Sequence, residues 1–403
     1  MTLCLSLPFD ILESIIEQID DYHSLLQCTT VSHAFLYFGR KRLFRTIHLG
    51  ADDAGLSCTR LLIILVDRPE LLHHVRALHV DSPDEVLGKA FAPLLRHIAE
   101  GNHLRKFVMN MYGNLSWGEL GPALQDSFRS LFKSTSLRTL CFQGQIPVDF
   151  PIELLATSPA LTHLSISHYH SNNRYDASDA AIHAMLPSPS TESTASRPSL
   201  ESLEIMGQFA TRLVKYLAHP LSPIQLSQLR ELRLMKLYDD VDASTAWEVI
   251  KAAASSLERL VWYDCSPYRP VLLESMQRLR FVELHGYTLL PRCKWLASLF
   301  MSERMPKSIE SITLTFSAAW VGSRRMKVGE VDEVFMSKEH QLDGTLSALC
   351  DGRAFPCFRA IALRVLFERS VEIDPRERGR MKGRWFPELQ STGFLSGEIL
   401  TTE

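Results

Sequence analysis

One pattern constrains this chain more than any other: an apolar residue, two others, an apolar residue, one other, and a final apolar residue. It is first met at Val75/Leu78/Val80. It recurs at Leu104/Phe107/Met109, Leu137/Leu140/Phe142, Leu161/Leu164/Ile166, Leu200/Leu203/Ile205, Leu229/Leu232/Leu234, Leu257/Leu260/Trp262, Leu279/Val282/Leu284, Ile309/Ile312/Leu314 and Phe358/Ile361/Leu363. The copies start 29, 33, 24, 39, 29, 28, 22, 30 and 49 residues apart, which reads as a loose period. The last two apolar positions of a copy lie two apart, so both point to one face of a short strand. The first tucks the incoming chain into the same core.

Segments between copies read as helices. The clearest is 244–254, with Ser244 a plausible N-cap and several strong helix formers behind it. Stretches 91–99 and 289–301 behave similarly, although Pro93 and Pro291 restrict where those helices begin. Strand, loop, helix, loop and strand resembles a leucine-rich-repeat unit. One such unit cannot bury its own apolar face, so neighbours stack into a solenoid with a parallel sheet. That family usually places Asn or Cys three residues after the final apolar position. Cys265 obeys, whereas Pro83, Tyr112, Gln145, Tyr169, Gln208 and Leu237 do not, so an irregular solenoid is expected. A parallel α/β domain that is not a solenoid is the competing architecture.

The first fifty residues follow another rule. Ile11, Leu12, Ile15, Ile16 and Ile19 recur at helical spacing, while Asp10, Glu13, Glu17 and Gln18 fill much of the remaining surface. Pro8 suits a first helical position, where its missing N–H costs nothing. Asp20 and Asp21 interrupt the pattern before shorter apolar blocks at Leu25-Leu26 and at Val31, Ala34, Phe35 and Phe38. In their order and spacing, Leu7-Pro8, Ile11-Leu12, Ile15, Leu25-Leu26, Val31-Ser32, Phe35 and Leu43-Phe44 resemble the F-box, a compact three-helix module. The chain departs from it with Asp10 in place of Glu and His33 in place of a basic residue. It also lacks a tryptophan near the module's end, where Leu43-Phe44 stand instead. The alternative is an ordinary helical hairpin capping a larger domain.

The expected class is therefore α/β: a small three-helix F-box over residues 1–50, then an irregular leucine-rich-repeat-like solenoid over 51–370. Within the latter, 183–199 is a Ser/Thr/Pro-rich loop and 317–357 an insertion containing Arg324, Arg325 and Lys327. Residues 371–403, with Arg376, Arg378, Arg380, Lys382 and Arg384, are expected to form an exposed tail; an acidic partner or a nuclear address is the functional alternative.

Composition narrows the function classes. Net charge is −3 and charged residues make up 22%, so no overall basic excess advertises nucleic acid or a membrane surface. The densest apolar run, Leu61 to Val66, is far too short to span a bilayer, and the N-terminus lacks the basic region of a signal peptide. Eight cysteines are scattered without a CxxC pair, which favours reduced thiols and a cytoplasmic or nuclear setting. No phosphate-cradling glycine motif or nucleophile elbow is present. His73-His74 would point to opposite faces of a strand. His168 and His170 share a face without a nearby cysteine, and Asp239, Asp240 and Asp242 suit the start of a helix. Neither catalysis nor a metal or cofactor is expected.

In the F-box family the module docks through apolar side chains onto a Skp-type adaptor and through it a cullin. The rest of the chain presents a protein substrate for ubiquitin transfer by an enzyme elsewhere in the assembly. On that resemblance the adaptor-binding positions are Leu7, Pro8, Ile11, Leu12, Ile15, Leu25, Leu26, Val31 and Phe35. Some of these belong to the module's own core, and spacing alone does not sort them. The substrate would meet side chains lying between the apolar strand positions: Ser165, Glu204, Arg233, Val261, Glu283 and Thr313, flanked by Arg259, Tyr263, Phe281 and His285. Glu204, Arg233, Val261, Tyr263, Glu283 and His285 are the foremost candidates. Their mixed chemistry suits a protein or peptide rather than a nucleic-acid groove. Two alternatives remain: an adaptor-binding scaffold without ubiquitin ligation, and a repeat-only interaction protein.

Overall fold

The computed structural model describes residues 8–50, 54–82, 89–111, 116–144, 149–168, 179–186, 197–207, 210–235, 240–263, 273–286, 296, 299–300, 305–317, 342–367, 380–381 and 384–401. Leu7, Tyr169, His170, Asp239, Cys265 and all of 187–196 and 318–341 lie outside them. The chain divides into two units, Met1–Asn173 with Ser188–Pro198, and Arg174–Pro187 with Ser199–Glu403.

The first unit opens with α1 (Phe9–Glu17), α2 (Tyr22–Cys28) and α3 (His33–Leu43). Pro8 stands one position earlier than expected, at the N-cap, and its carbonyl accepts from the Leu12 N–H at 3.1 Å. Asp21 caps α2 through a 2.7 Å bond from the Ser24 N–H, and Ser32 caps α3 by accepting from the Phe35 N–H. Arg40, Lys41 and Arg42 fill the last turn of α3, where cations oppose the helix dipole. Glu13 and Glu17, one turn apart on α1, pair with Lys41 and Arg45, the latter at 3.1 Å. Gly39 lets α3 approach the end of α2: a Cβ there would strike the Thr29 methyl group.

Five strands follow in chain order: β1 (Thr46–Leu49), β2 (Ala77–Ser82), β3 (Lys106–Met111), β4 (Thr139–Gly144) and β5 (His163–His168). Each is parallel to the next and in register. Between them lie α4 (Ala54–Asp67), α5 (Phe91–Gly101) and α6 (Pro122–Phe132). Helix α5 ends at Asn102 in the left-handed conformation, and its amide ties this turn to Thr135 and Ser134 of the next repeat, both at 2.8 Å. Phe107, Phe128, Phe132, Phe142 and Phe150 pack at mostly edge-on angles and are all buried.

The second unit repeats the scheme with β6 (Ser202–Met206), β7 (Glu231–Met235), β8 (Arg259–Tyr263), β9 (Phe281–Gly286), β10 (Ser311–Ser317), β11 (Ala360–Phe367) and β12 (Leu395–Thr401). These too pair in parallel and in chain order. Its helices include α7 (Asp179–Met185), α8 (Ala210–Ala218) and α9 (Asp240–Ala253), the last starting four residues before the expected Ser244 cap.

The α/β class with a parallel sheet is what the repeat pattern implied. In all ten template copies the last two apolar positions fall on strands β2 to β11 and the first lies just before the strand, and every one of these positions is buried. Two strands lie outside the template. β1 sits within the stretch assigned to the helical module. β12 sits within the stretch expected to be a tail, which needs correction: Trp385, Phe386 and Leu389 are buried there, and Leu395 pairs with Ile361. Asp343 accepts from the N–H groups of Glu388 and Leu389, both at 2.9 Å, and so caps the short helix Pro387–Ser391. Spacing missed this because a single alternating strand without a following repeat leaves no period.

Candidate protein-interaction surfaces

Two surfaces carry the chemistry, one in each unit. On the N-terminal helices the structure sorts the apolar positions that spacing could not. Leu12, Ile16, Leu25 and Phe38 form a closed core, with Phe35, Ile19, Ala34, Cys28 and Leu43 packed around it. Leu12 and Leu25 are thus internal, and Phe35 is half-buried against them; none of the three is free to meet a partner as a whole side chain. Ile11 and Ile15 stand one turn apart on the adjoining face of α1 and are 45% and 42% exposed. Pro8, Leu26 and Val31 are also exposed, Val31 at 67%. Phe9, Tyr22 and Tyr37 add exposed aromatic area that the sequence reading passed over, because each lies off the main apolar stripe. Phe9 and Tyr37 both touch Phe38, so the exposed rings rest on the core.

The second surface is the face of the second unit's strands that points away from the helices. Parallel register aligns Glu204, Arg233, Val261, Glu283 and Thr313 in one row. Two residues earlier come Glu231, Arg259 and Phe281; two residues later, Tyr263 and His285. The Glu231 carboxylate accepts from Arg233 at 2.7 Å and lies 3.6 Å from Arg259. Arg259 reaches across to Glu283 at 3.3 Å, and Glu283 accepts from His285 Nε2 at 2.9 Å. Arg364, two strands further along, approaches the same carboxylate at 3.9 Å. The Tyr263 ring stacks on His285, centroids 3.7 Å apart and planes 9° from parallel.

These contacts set the charge states. The hydrogen bond from His285 holds the Glu283 carboxyl below the usual range against the opposing effect of burial, and Arg259 adds to it. Burial works to lower the Arg233 pKa, but the bond to Glu231 and the charges of Glu204 and Glu283 raise it overall. Burial raises the Tyr263 phenol, and the Glu283 charge adds to that. All six foremost substrate candidates therefore stand in one paired network or its register rows, and five of them present a side chain at the surface. Val261 is the exception: it occupies an outward position but is only 3% exposed, so it packs among its neighbours instead of offering a surface. Glu231, Arg259 and Arg364 complete the network; Glu231 is legible only once register is known, since it precedes the outward row by two residues.

Among the described residues no group of three or more His, Cys, Asp or Glu side chains could hold a metal ion, and no helix is long and apolar enough to cross a membrane. His73 does not join His74; its ring packs against His103, with Nδ1 and Nε2 2.5 Å apart. No family model matches the chain, and no curated protein matches it.

Proposed function

We propose that the chain is a substrate-recognition adaptor of a Skp–cullin–F-box type ubiquitin ligase, with the N-terminal helices docking the Skp-type adaptor and the second unit's charged face receiving a protein substrate. The observation that carries this reading is the sorting of apolar side chains on α1 to α3. A small closed core built on Leu12, Ile16, Leu25 and Phe38 leaves Phe9, Ile11, Ile15, Leu26 and Val31 in water. Such a surplus on a short helical module is what a partner covers. The role needs no catalytic constellation in this chain: holding a substrate lysine near a charged conjugating enzyme raises its effective concentration. The alternating guanidinium and carboxylate groups around Glu231 and Glu283 suit a polar peptide that exchanges into those pairs.

The test is capture of a purified Skp-type adaptor by the full chain, compared with Ile11→Ser/Leu26→Ser, whose side chains lie outside the core. Binding by the wild type and loss in the variant, with unchanged circular dichroism, is the expected result. An adaptor that never binds the wild type, or binds the variant equally, removes the F-box reading. Binding without cullin recruitment leaves a scaffold.

A further inference from the structure

The residue just before most strands repeats one backbone arrangement in both units. Its carbonyl accepts from two N–H groups at the start of the next strand. In the first unit Arg45 receives Arg76 and Ala77, Arg76 receives Arg105 and Lys106, and Arg105 receives Arg138 and Thr139, at 2.8–3.0 Å. The second unit continues the device through Glu201, Arg230, Glu258, Arg280 and Glu310, with Arg359 as the last donor. There the signs alternate strictly, and neighbours pair: Arg230 with Glu258 at 3.9 Å and Arg280 with Glu310 at 2.5 Å. The first unit instead carries four arginines in succession.

The backbone therefore does not require arginine at these positions, because the second unit builds the same ladder from alternating charges. Like charges on adjacent strands cost stability. In the first unit that cost is only partly offset. Arg45 pairs with Glu17 at 3.1 Å, and Arg76 donates to the Val75 and His103 carbonyls. Arg105 and Arg138 are exposed and, among the described residues, have neither an ion pair nor a side-chain hydrogen bond. Lys106 adds another exposed cation beside Arg105. Burial, then the charges of Arg105 and Arg45, lower the pKa of Arg76, so these groups feel one another.

We infer that this arginine ladder is a docking stripe for an acidic α-helix of a partner protein, lying across the starts of β1 to β4 with carboxylates toward the guanidinium groups. Spacing selects the helix. Adjacent strands are about 4.8 Å apart, so four rungs span about 14 Å. Carboxylates one helical turn apart repeat at about 5.4 Å and cover the same rungs in about 16 Å. An extended strand presents same-face side chains about 6.7 Å apart and drifts out of step by a full rung. Arginine suits the task because its fork grips a carboxylate through two parallel hydrogen bonds. The inference does not rest on the ubiquitin-ligase reading: it uses neither the exposed apolar residues of α1 and α2 nor the charged face of the second unit.

The test uses fluorescence anisotropy of the full chain with a labelled alanine-rich helical peptide bearing glutamates along one face. A peptide of equal composition with glutamates spread around the helix, a phosphoserine-containing extended peptide and a thymidine oligonucleotide serve as comparators. The one-face peptide should bind most tightly, with affinity falling as salt rises. Arg105→Gln/Arg138→Gln should weaken it at least about tenfold while circular dichroism stays unchanged, since both side chains are exposed. Arg280→Gln in the second unit should leave it unaltered. Equal binding of the two helical peptides, unchanged affinity in the double variant, or tighter binding of the phosphopeptide or oligonucleotide would each overturn the inference.

Discussion

The two units use one backbone plan and opposite electrostatic plans. In the first, the outward strand positions carry His48, His79, Val108, Cys141 and Ser165 in the central row, nearly without charge, while arginines crowd the strand starts. In the second, the central row and its flanks hold Glu231, Arg233, Arg259, Glu283 and Arg364 in a shared network, and the strand starts alternate in sign. Parallel register explains how both are possible. Buried positions must interlock with the layer beneath, but each outward row is only a column of neighbours about 4.8 Å apart, free to attract or repel. The core fixes the fold, and the columns are left for recognition.

The largest effects should test whether the units are separable. Leu140→Ala in β4 and Leu232→Ala in β7 each empty a fully buried position and should each cost about 3 kcal/mol. Hydrogen exchange should then open β3 to β5 first in one variant and β6 to β8 first in the other. Identical loss of protection across both units would make them a single cooperative block and dissolve the distinction. Next comes Gly144→Ala at the end of β4. Its φ of +89° lies in the region that favours glycine, and the new Cβ would press on the Met111 carbonyl oxygen. Chemical denaturation should record a loss of about 2 kcal/mol.

Charge changes should be smaller and opposite in sign between the units. Glu283→Gln breaks the network around His285 and Arg259 and should cost about 1 kcal/mol at neutral pH. The folded carboxyl titrates below its unfolded value, so its contribution is present above about pH 4.3 and lost as pH falls through the folded pKa. Denaturation midpoints of the variant should therefore fall less steeply with acid than those of the wild type. Arg105→Glu, which sets a carboxylate between Arg76 and Arg138, should stabilise by about 0.5 kcal/mol at low salt and by less at high salt. A destabilised Arg105→Glu protein would mean that the arginines do not act on one another. The smallest effect concerns thiols. Burial pushes Cys58 up to about 11, whereas Cys357 is exposed. Maleimide mapping at pH 7 should label Cys357 and spare Cys58.

Much of this was legible before any coordinates. Val75/Leu78/Val80 and its nine relatives located ten strands, because burial of a parallel strand leaves a local and periodic trace in the chain. The apolar stripe Leu12/Ile16 located α1 for the same reason. What lacked a trace was whatever depends on a single element or on neighbours distant in sequence. The strand Leu395–Thr401 has no repeat behind it. The burial of Val261 depends on side chains from other strands. The exposure of Ile11 beside the burial of Leu12 depends on which face of α1 meets α2 and α3, and both residues satisfy the same helical spacing.

The strand-start ladder shows the division most plainly. Arg76, Arg105 and Arg138 each directly follow the first apolar residue of a template copy, so the sequence alone determined that these three recur. It did not determine that Arg45, Arg76, Arg105 and Arg138 stand side by side, nor that Arg230 and Arg280 find glutamates where those four find one another. Hydrophobic burial is a property of each segment and can be read along the chain. Electrostatic neighbours are set by register between strands about thirty residues apart, and only the folded sheet supplies that.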